Sequence, residues 1–342
     1  MAMSIRTKQV LKLLAKVSVT GILLAWVFSQ VDFSQFWQTV SAANWPCLVG
    51  VWLSTAAFFW LQCLAMQLIL SKQECRVGVN TLFGVSSITS LYSLVLPGIL
   101  STGVKWYILK RLTGKGSNVL SSMLYNQVTL SVVMTVIGLA ALIVTNPAKT
   151  GVPGEQRTWI VPVVSGLLLV AITAVSVLLL DPRTGATVTK VLAALLRWLP
   201  GGLWNKGQTM LTQIAAFQTA GFRFHAVIAA INAVNSLCVG LLIYFFAARA
   251  AHIDVSVGVL MWLCAVIFLL SKLPISIANL GVREVTLVGL LAGYGVGRAE
   301  ALLMSMILFS SLIFMAAIGL VYWLAWAGQA KKASPPGNDL AA

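Results

Sequence analysis

Acidic charge is what this sequence has least of: Asp and Glu number 8 in 342 residues, and charged residues of both signs make up 9%. Ordinary soluble domains carry about 25% charged residues, so this chain lacks the material to coat a globule in water. Histidine is scarce too, at 2. His225 and His252 stand near segment ends with no partner at metal-ligand or triad spacing, and each reads as an interfacial residue rather than a catalyst. The five cysteines, Cys47, Cys63, Cys75, Cys238 and Cys264, form no CxxC and fall mostly in apolar runs. They read as small core residues without disulfide or metal, and no cofactor is expected. Gly201 and Gly202, after Pro200, lack the lysine spacing and preceding strand of a phosphate loop. There is no long polar linker, and only 329–342, with Ser334, Pro335, Pro336 and Gly337, has the composition of a disordered tail.

What the chain does have is hydrophobic residues, at 59%, and a mean hydropathy of +0.93. A spanning helix needs roughly 20 apolar residues to cross about 30 Å of hydrocarbon. Apolar segments lie near 10–29, 45–70, 79–104, 118–145, 159–180, 224–248, 255–296 and 299–328. The stretch 186–222 differs, because Lys190, Arg197 and Lys206 interrupt Leu192, Leu195, Leu196 and Trp198; this suits a helix lying along the interface. Trp26, Trp45, Trp159, Trp323 and Trp326 sit near segment ends, where an indole rests at headgroup depth. The net charge of +15 is carried by Lys and Arg at the ends of apolar segments, a pattern of lipid contact and topology setting rather than of nucleic-acid binding. Arg6, Lys8, Lys12 and Lys16 precede the apolar run from Val17 to Phe28, and no small-residue cleavage site follows, so a retained first helix is expected.

Basic residues orient the helices. The amino terminus, the 71–76 loop with Lys72 and Arg76, and the 105–115 loop with Lys105, Lys110, Arg111 and Lys115 should be cytoplasmic. The 30–44 loop has no Lys or Arg, and 146–158 offsets Lys149 and Arg157 with Glu155, so both should face outward. The segment 79–104 then has both ends inside and must enter the membrane and turn back. The segment 255–296 must do the same from the other face, because the last helix ends inside at Lys331 and Lys332.

These two segments also share a pattern. One reads Leu96, Pro97, five residues, Gly103, Val104, Lys105; the other reads Leu273, Pro274, six residues, Gly281, Val282, Arg283. Proline removes a donor and disfavours helix before it, and glycine permits a sharp turn, so Pro97, Gly98, Gly103, Pro274 and Gly281 are candidate hairpin tips. Non-helical backbone at that depth must be buried in protein or line a cavity. Two such hairpins entering from opposite faces form the pattern of an inverted repeat with a binding site near the midplane.

Seven of the eight carboxylates, Asp32, Glu74, Glu155, Asp181, Asp254, Glu300 and Asp339, fall in loops, at segment ends or in the tail. Glu284 is the exception, placed beside Arg283 where an unpaired charge costs about 2.5 to 3.5 kcal/mol. Lys105, Lys272 and Arg283 give the centre a positive surplus that suits a phosphate, with the start of the helix after each Gly-Val adding dipole attraction. Candidate headgroup contacts are therefore Arg283, Glu284, Lys105, Lys272 and Asn279. Two blander readings stand beside this: Arg283 and Glu284 can form a structural latch, and the lysines can snorkel to the interface.

The stretch LPISIANLGVREVTLVGLL, from Leu273 to Leu291, closely resembles the hallmark of the flippase-like transmembrane region of lysylphosphatidylglycerol synthases, which many stand-alone bacterial membrane proteins share. LPGILSTGVKWYILKRLTG, 96–114, resembles that family's first-half motif, and the likeness extends from the first helix to Trp326. Many relatives carry an acidic residue just before the first basic one, where this chain has Ser101, Thr102 and Gly103. A charged pair frequent in the next helix is replaced by Asn126 and Gln127, which with Tyr107 form a secondary polar set. The resemblance implies a lipid-handling role in a bacterial cytoplasmic membrane. The synthases' soluble aminoacyl-transferring domain has no counterpart in this sequence, so lysine transfer is not expected.

The expectation is thus an all-α polytopic membrane protein with about six full transmembrane helices plus two opposed re-entrant helical hairpins as an inverted repeat. It forms a single transmembrane domain over 1–328, with halves at 1–158 and 159–328, an interfacial helix at 186–222 and both termini cytoplasmic. Its partners would be anionic membrane lipids. A flippase-like transporter is the leading reading. A non-transporting partner that presents lipid to a separate glycosyl- or aminoacyltransferase is the alternative, and an integral transferase is disfavoured by the single buried carboxylate.

Overall fold

Long apolar runs, punctuated by proline and basic clusters, leave the backbone one way to satisfy its own polar groups, which is helix. The computed structural model describes residues 33–95, 98–147, 159–181, 183–196, 201–272 and 280–333, and among these every regular element is helical. The elements are α1 (Phe33–Ser41), α2 (Trp45–Lys72), α3 (Val79–Val95), α4 (Gly98–Thr113), α5 (Gly116–Thr145), α6 (Ile160–Leu180), α7 (Gly185–Leu196), α8 (Gly201–Ala215), α9 (Phe222–Ala250), α10 (Val257–Leu270), α11 (Val282–Ala292) and α12 (Arg298–Ala333).

Five of them, α2, α5, α6, α9 and α12, are long and apolar enough to cross a membrane. Even α6, with 21 residues, reaches about 32 Å at 1.5 Å per residue. The chain is an all-α polytopic membrane protein. The segment 10–29 and the tail from 334 lie outside the described residues.

The other seven helices among the described residues are too short for that task, and four of them pair up. α3 and α4 have 17 and 16 residues, and α10 and α11 have 14 and 11, so their lengths fall between about 17 and 26 Å. Each pair packs together as a hairpin. The ends of the first hairpin meet: Lys115 Nζ lies 3.0 Å from Glu74 Oε2, and Asn118 Nδ2 donates to the Gln73 carbonyl at 3.2 Å. The chain therefore enters α3 and leaves α4 at the same end of the bundle, as the charge pattern requires.

The second hairpin hangs from the opposite end. α10 runs antiparallel to α5, with Gly138 against Ala265 and Gly258 against Thr145. Lys272, just past the end of α10, brings Nζ within 3.5 Å of Gln127 Oε1 in the interior of α5, so α10 stops partway through the bundle. Near the return of α11, Tyr294 lies 6.4 Å from Trp262 of α10, centroid to centroid. At this end the Asn44 N–H donates to the Ala250 carbonyl, which ties α2 to α9.

The tightest helix contact holds the first hairpin in place. α3 packs antiparallel on α12, and a β-carbon at Gly319 would collide with the Ser87 carbonyl oxygen. Gly84 in turn receives the rings of Tyr322 and Trp326, and the Tyr322 hydroxyl donates to Asn80 Oδ1 at 2.6 Å. Glycines at such crossings let backbones approach closely, which drives association where lipid offers no hydrophobic gain.

Three local expectations are corrected. Residues Phe33–Ser41, read as loop, form the amphipathic helix α1 with Trp37 exposed; its apolar residues recur at helical spacing, and Phe36 packs on the start of α12. The stretch 186–222 contains two helices, α7 and α8, rather than one. Gly103, read as a turn, is an interior residue of α4 without a positive φ. α3 ends at Val95 and α4 already begins at Gly98, and an isolated glycine inside a helix costs only about 1 kcal/mol.

The Lys115 ammonium, hydrogen-bonded to Glu74, holds that carboxyl below its usual range. The pair is thus intact above ordinary carboxylate values and is lost as pH falls through the lowered value. Zero-length carbodiimide coupling followed by mass spectrometry should join Glu74 to Lys115 directly, and the yield should vanish in Lys115→Ala.

Candidate functional site

The second hairpin resumes helix at Gly281, whose φ of +83° is a left-handed conformation that a side chain would strain. Its N–H donates to Glu284 Oε2 at 2.5 Å, which satisfies one of the orphan donors at the start of α11. Glu284 Oε1 accepts from Arg283 Nη2 at 2.7 Å and from Ser305 Oγ of α12 at 2.7 Å. Arg283 Nε donates to the same Ser305 Oγ at 2.8 Å, so guanidinium, hydroxyl and carboxylate close a ring. Arg283 is 8% exposed, Glu284 3% and Ser305 0%, and the Phe309 ring lies 5.5 Å from the guanidinium carbon.

This arrangement has the form of the latch. The two charges neutralise each other where either alone would be costly, and together they fasten α11 to α12. Of the positive surplus predicted at the centre, Arg283 is thereby matched, while Lys105 and Lys272 are not.

Lys105 and Lys272 come from different hairpins, α4 and the end of α10, and both of these helices pack on α5. Neither forms an ion pair with a carboxylate among the described residues. Lys272 has Gln127 Oε1 at 3.5 Å and the Phe268 ring at 4.2 Å. Lys105 is half-buried and lies within electrostatic reach of Cys63 on α2, whose Sγ is 3.5 Å from Ser86 Oγ of α3. Because Lys105 sits seven residues inside α4, no helix start at Gly103 supports it, which corrects the expected dipole contribution.

The remaining candidates divide. Gln127 joins the lysines, and Asn126 is buried with Oδ1 unpartnered among the described residues. Tyr107 is exposed, with Arg111 over its ring, and takes no part. Gly98 begins α4. Pro97, Pro274 and Asn279 lie outside the described residues.

The family then follows. The model of the lysylphosphatidylglycerol synthase transmembrane region matches residues 13–325. The chain belongs to that family. No curated protein and no solved structure matches it significantly.

Sequence reading missed several polar groups in this member of the synthase-type membrane family. Ser305 is one: in the apolar run of α12 nothing separates it from Ser310, which instead accepts from Trp52 Nε1. His225, read as interfacial, is buried with Nδ1 2.6 Å from the Tyr125 hydroxyl, inside a cluster with Phe217 and Phe224. Asn235–Gly240 winds as a π-helix within α9, beside buried Asn232, whose side-chain polar atoms have no partner among the described residues. Such bulges recur at functional sites.

If the ring of Arg283, Glu284 and Ser305 is a latch, Glu284→Ala leaves a buried guanidinium unpaired and should cost about 3 to 5 kcal/mol. Thermal unfolding in detergent checks this, and the double variant Arg283→Met/Glu284→Ala should regain part of the loss.

Proposed function

We propose that the protein is a flippase-like transporter that binds an anionic phospholipid headgroup and moves it between leaflets. The observation that carries this reading is the lysine pair: Lys105 and Lys272, from two hairpins that enter from opposite ends and both pack on α5, have no carboxylate partner among the described residues. A phosphodiester placed between them would supply the missing counter-charge, while the acyl chains stayed in lipid. Gln127 adds an amide donor once its oxygen is released from Lys272. The latch at Arg283 and Glu284 positions the second hairpin, and Gly281 sets its exit angle. On this reading the hairpins are related as an inverted repeat, the bilayer is a bacterial cytoplasmic membrane, and the basic end of the bundle faces the cytoplasm. The protein would be a transporter rather than an enzyme.

The alternative, a membrane partner that presents bound lipid to a separate transferase, uses the same lysines and differs in having no exchange. Purified protein in liposomes with fluorescent phosphatidylglycerol separates the two. Transport predicts leaflet exchange that falls about tenfold or more in Lys105→Ala/Lys272→Ala and recovers in part with arginine at both positions. Equal exchange in wild type and the double alanine variant would remove the lysine mechanism. Binding that depends on the lysines, without exchange, would favour presentation.

A further inference from the structure

At the end of the bundle from which the second hairpin hangs, a cavity of about 370 Å³ opens between the start of α2 and the end of α9, lined by Asn44, Cys47, Phe245, Arg249, His252 and Asp254, among others. That volume falls within the range of small-ligand sites. It holds one cation and one anion that do not pair with each other: Arg249 lies over the Phe245 ring at 5.5 Å, and Asp254 forms no ion pair among the described residues. His252 adopts a left-handed φ of +57° and donates from Nε2 to the Ala42 carbonyl at 2.7 Å. In the neutral ring that bond selects the Nε2–H tautomer, in which Nδ1 is an acceptor. Asn44 precedes α2 without spending its side chain on a cap bond, so the amide is available as well.

We propose that this cavity binds the headgroup of a zwitterionic phospholipid carrying a primary amine. Arg249 takes the phosphate through its planar fork of donors, and Asp254, His252 Nδ1 and the Asn44 carbonyl accept from the ammonium. A quaternary ammonium is disfavoured twice over, since it has no N–H to give and Arg249 already occupies the Phe245 face. The lipid source follows from position: Trp45 is exposed at the first turn of α2, where an indole marks headgroup depth, and apolar Cys47 and Phe246 line the wall that acyl chains would follow. This site involves none of the residues assigned to transport above and stands without that reading.

The test is native mass spectrometry of the full chain in detergent with phosphatidylethanolamine and its N-trimethyl analogue at equal concentration. The expected result is retention of the primary amine lipid by about tenfold over the analogue. Asp254→Asn should abolish that discrimination, and Arg249→Gln should weaken both lipids, with melting temperatures unchanged because both side chains are exposed. Lys105→Ala/Lys272→Ala should leave the discrimination intact, which separates failure here from failure of the transport reading. Equal retention of the two lipids by wild type, or discrimination that survives Asp254→Asn, would overturn the proposal. Displacement by free phosphoethanolamine at equal concentration would overturn the assignment to a lipid.

Discussion

In hydrocarbon a backbone N–H or carbonyl can bond only to other protein groups, and the rest of this architecture depends on that restriction. Full spans meet it with uninterrupted helix. α3, α4, α10 and α11 are too short to do so, and each pair turns back inside the bundle, shielded by α5, α12 and their neighbours. Close packing of α3 on α12 at Gly319 and of α10 on α5 at Gly138 and Gly258 makes the shielding possible. A polar interior follows, because the returning segments carry Lys105, Lys272, Arg283 and Glu284 to a depth that a simple span would keep apolar.

The two sets of charges at that depth behave differently. Arg283 and Glu284 are adjacent in sequence and satisfy each other with the help of Ser305, so their energy is spent on holding α11 against α12. Lys105 and Lys272 are far apart in sequence, arrive from opposite ends of the bundle and have no carboxylate partner among the described residues. Like charges brought together in a low dielectric are unfavourable unless a counter-charge is supplied. On the proposed reading, the neutral pair serves the structure and the unbalanced pair serves the ligand.

Much of this was legible in the sequence. The hairpins followed from basic loops, since Lys72, Arg76 and Lys115 cannot share a side unless the intervening segment returns. Arg283 and Glu284 stood out because an ionisable pair inside an apolar run is rare, but they were expected to contact a headgroup, and the structure bonds them to each other and to Ser305. Other features gave no signal. Gly103 looks like Gly281 in its motif, yet one is helical and the other is in the left-handed region. Ser305 and the contact between His225 and Tyr125 depend on pairings across 21 and 100 residues, which no local spacing encodes.

The central claim is that the two hairpins place Lys105 beside Lys272. Cysteines at both positions, in a chain whose five native cysteines have been replaced, can be tested in native membranes with a short bifunctional thiol reagent. The account predicts an efficient intramolecular cross-link between positions 105 and 272. Absence of that link, in a protein that still couples Glu74 to Lys115, would contradict it.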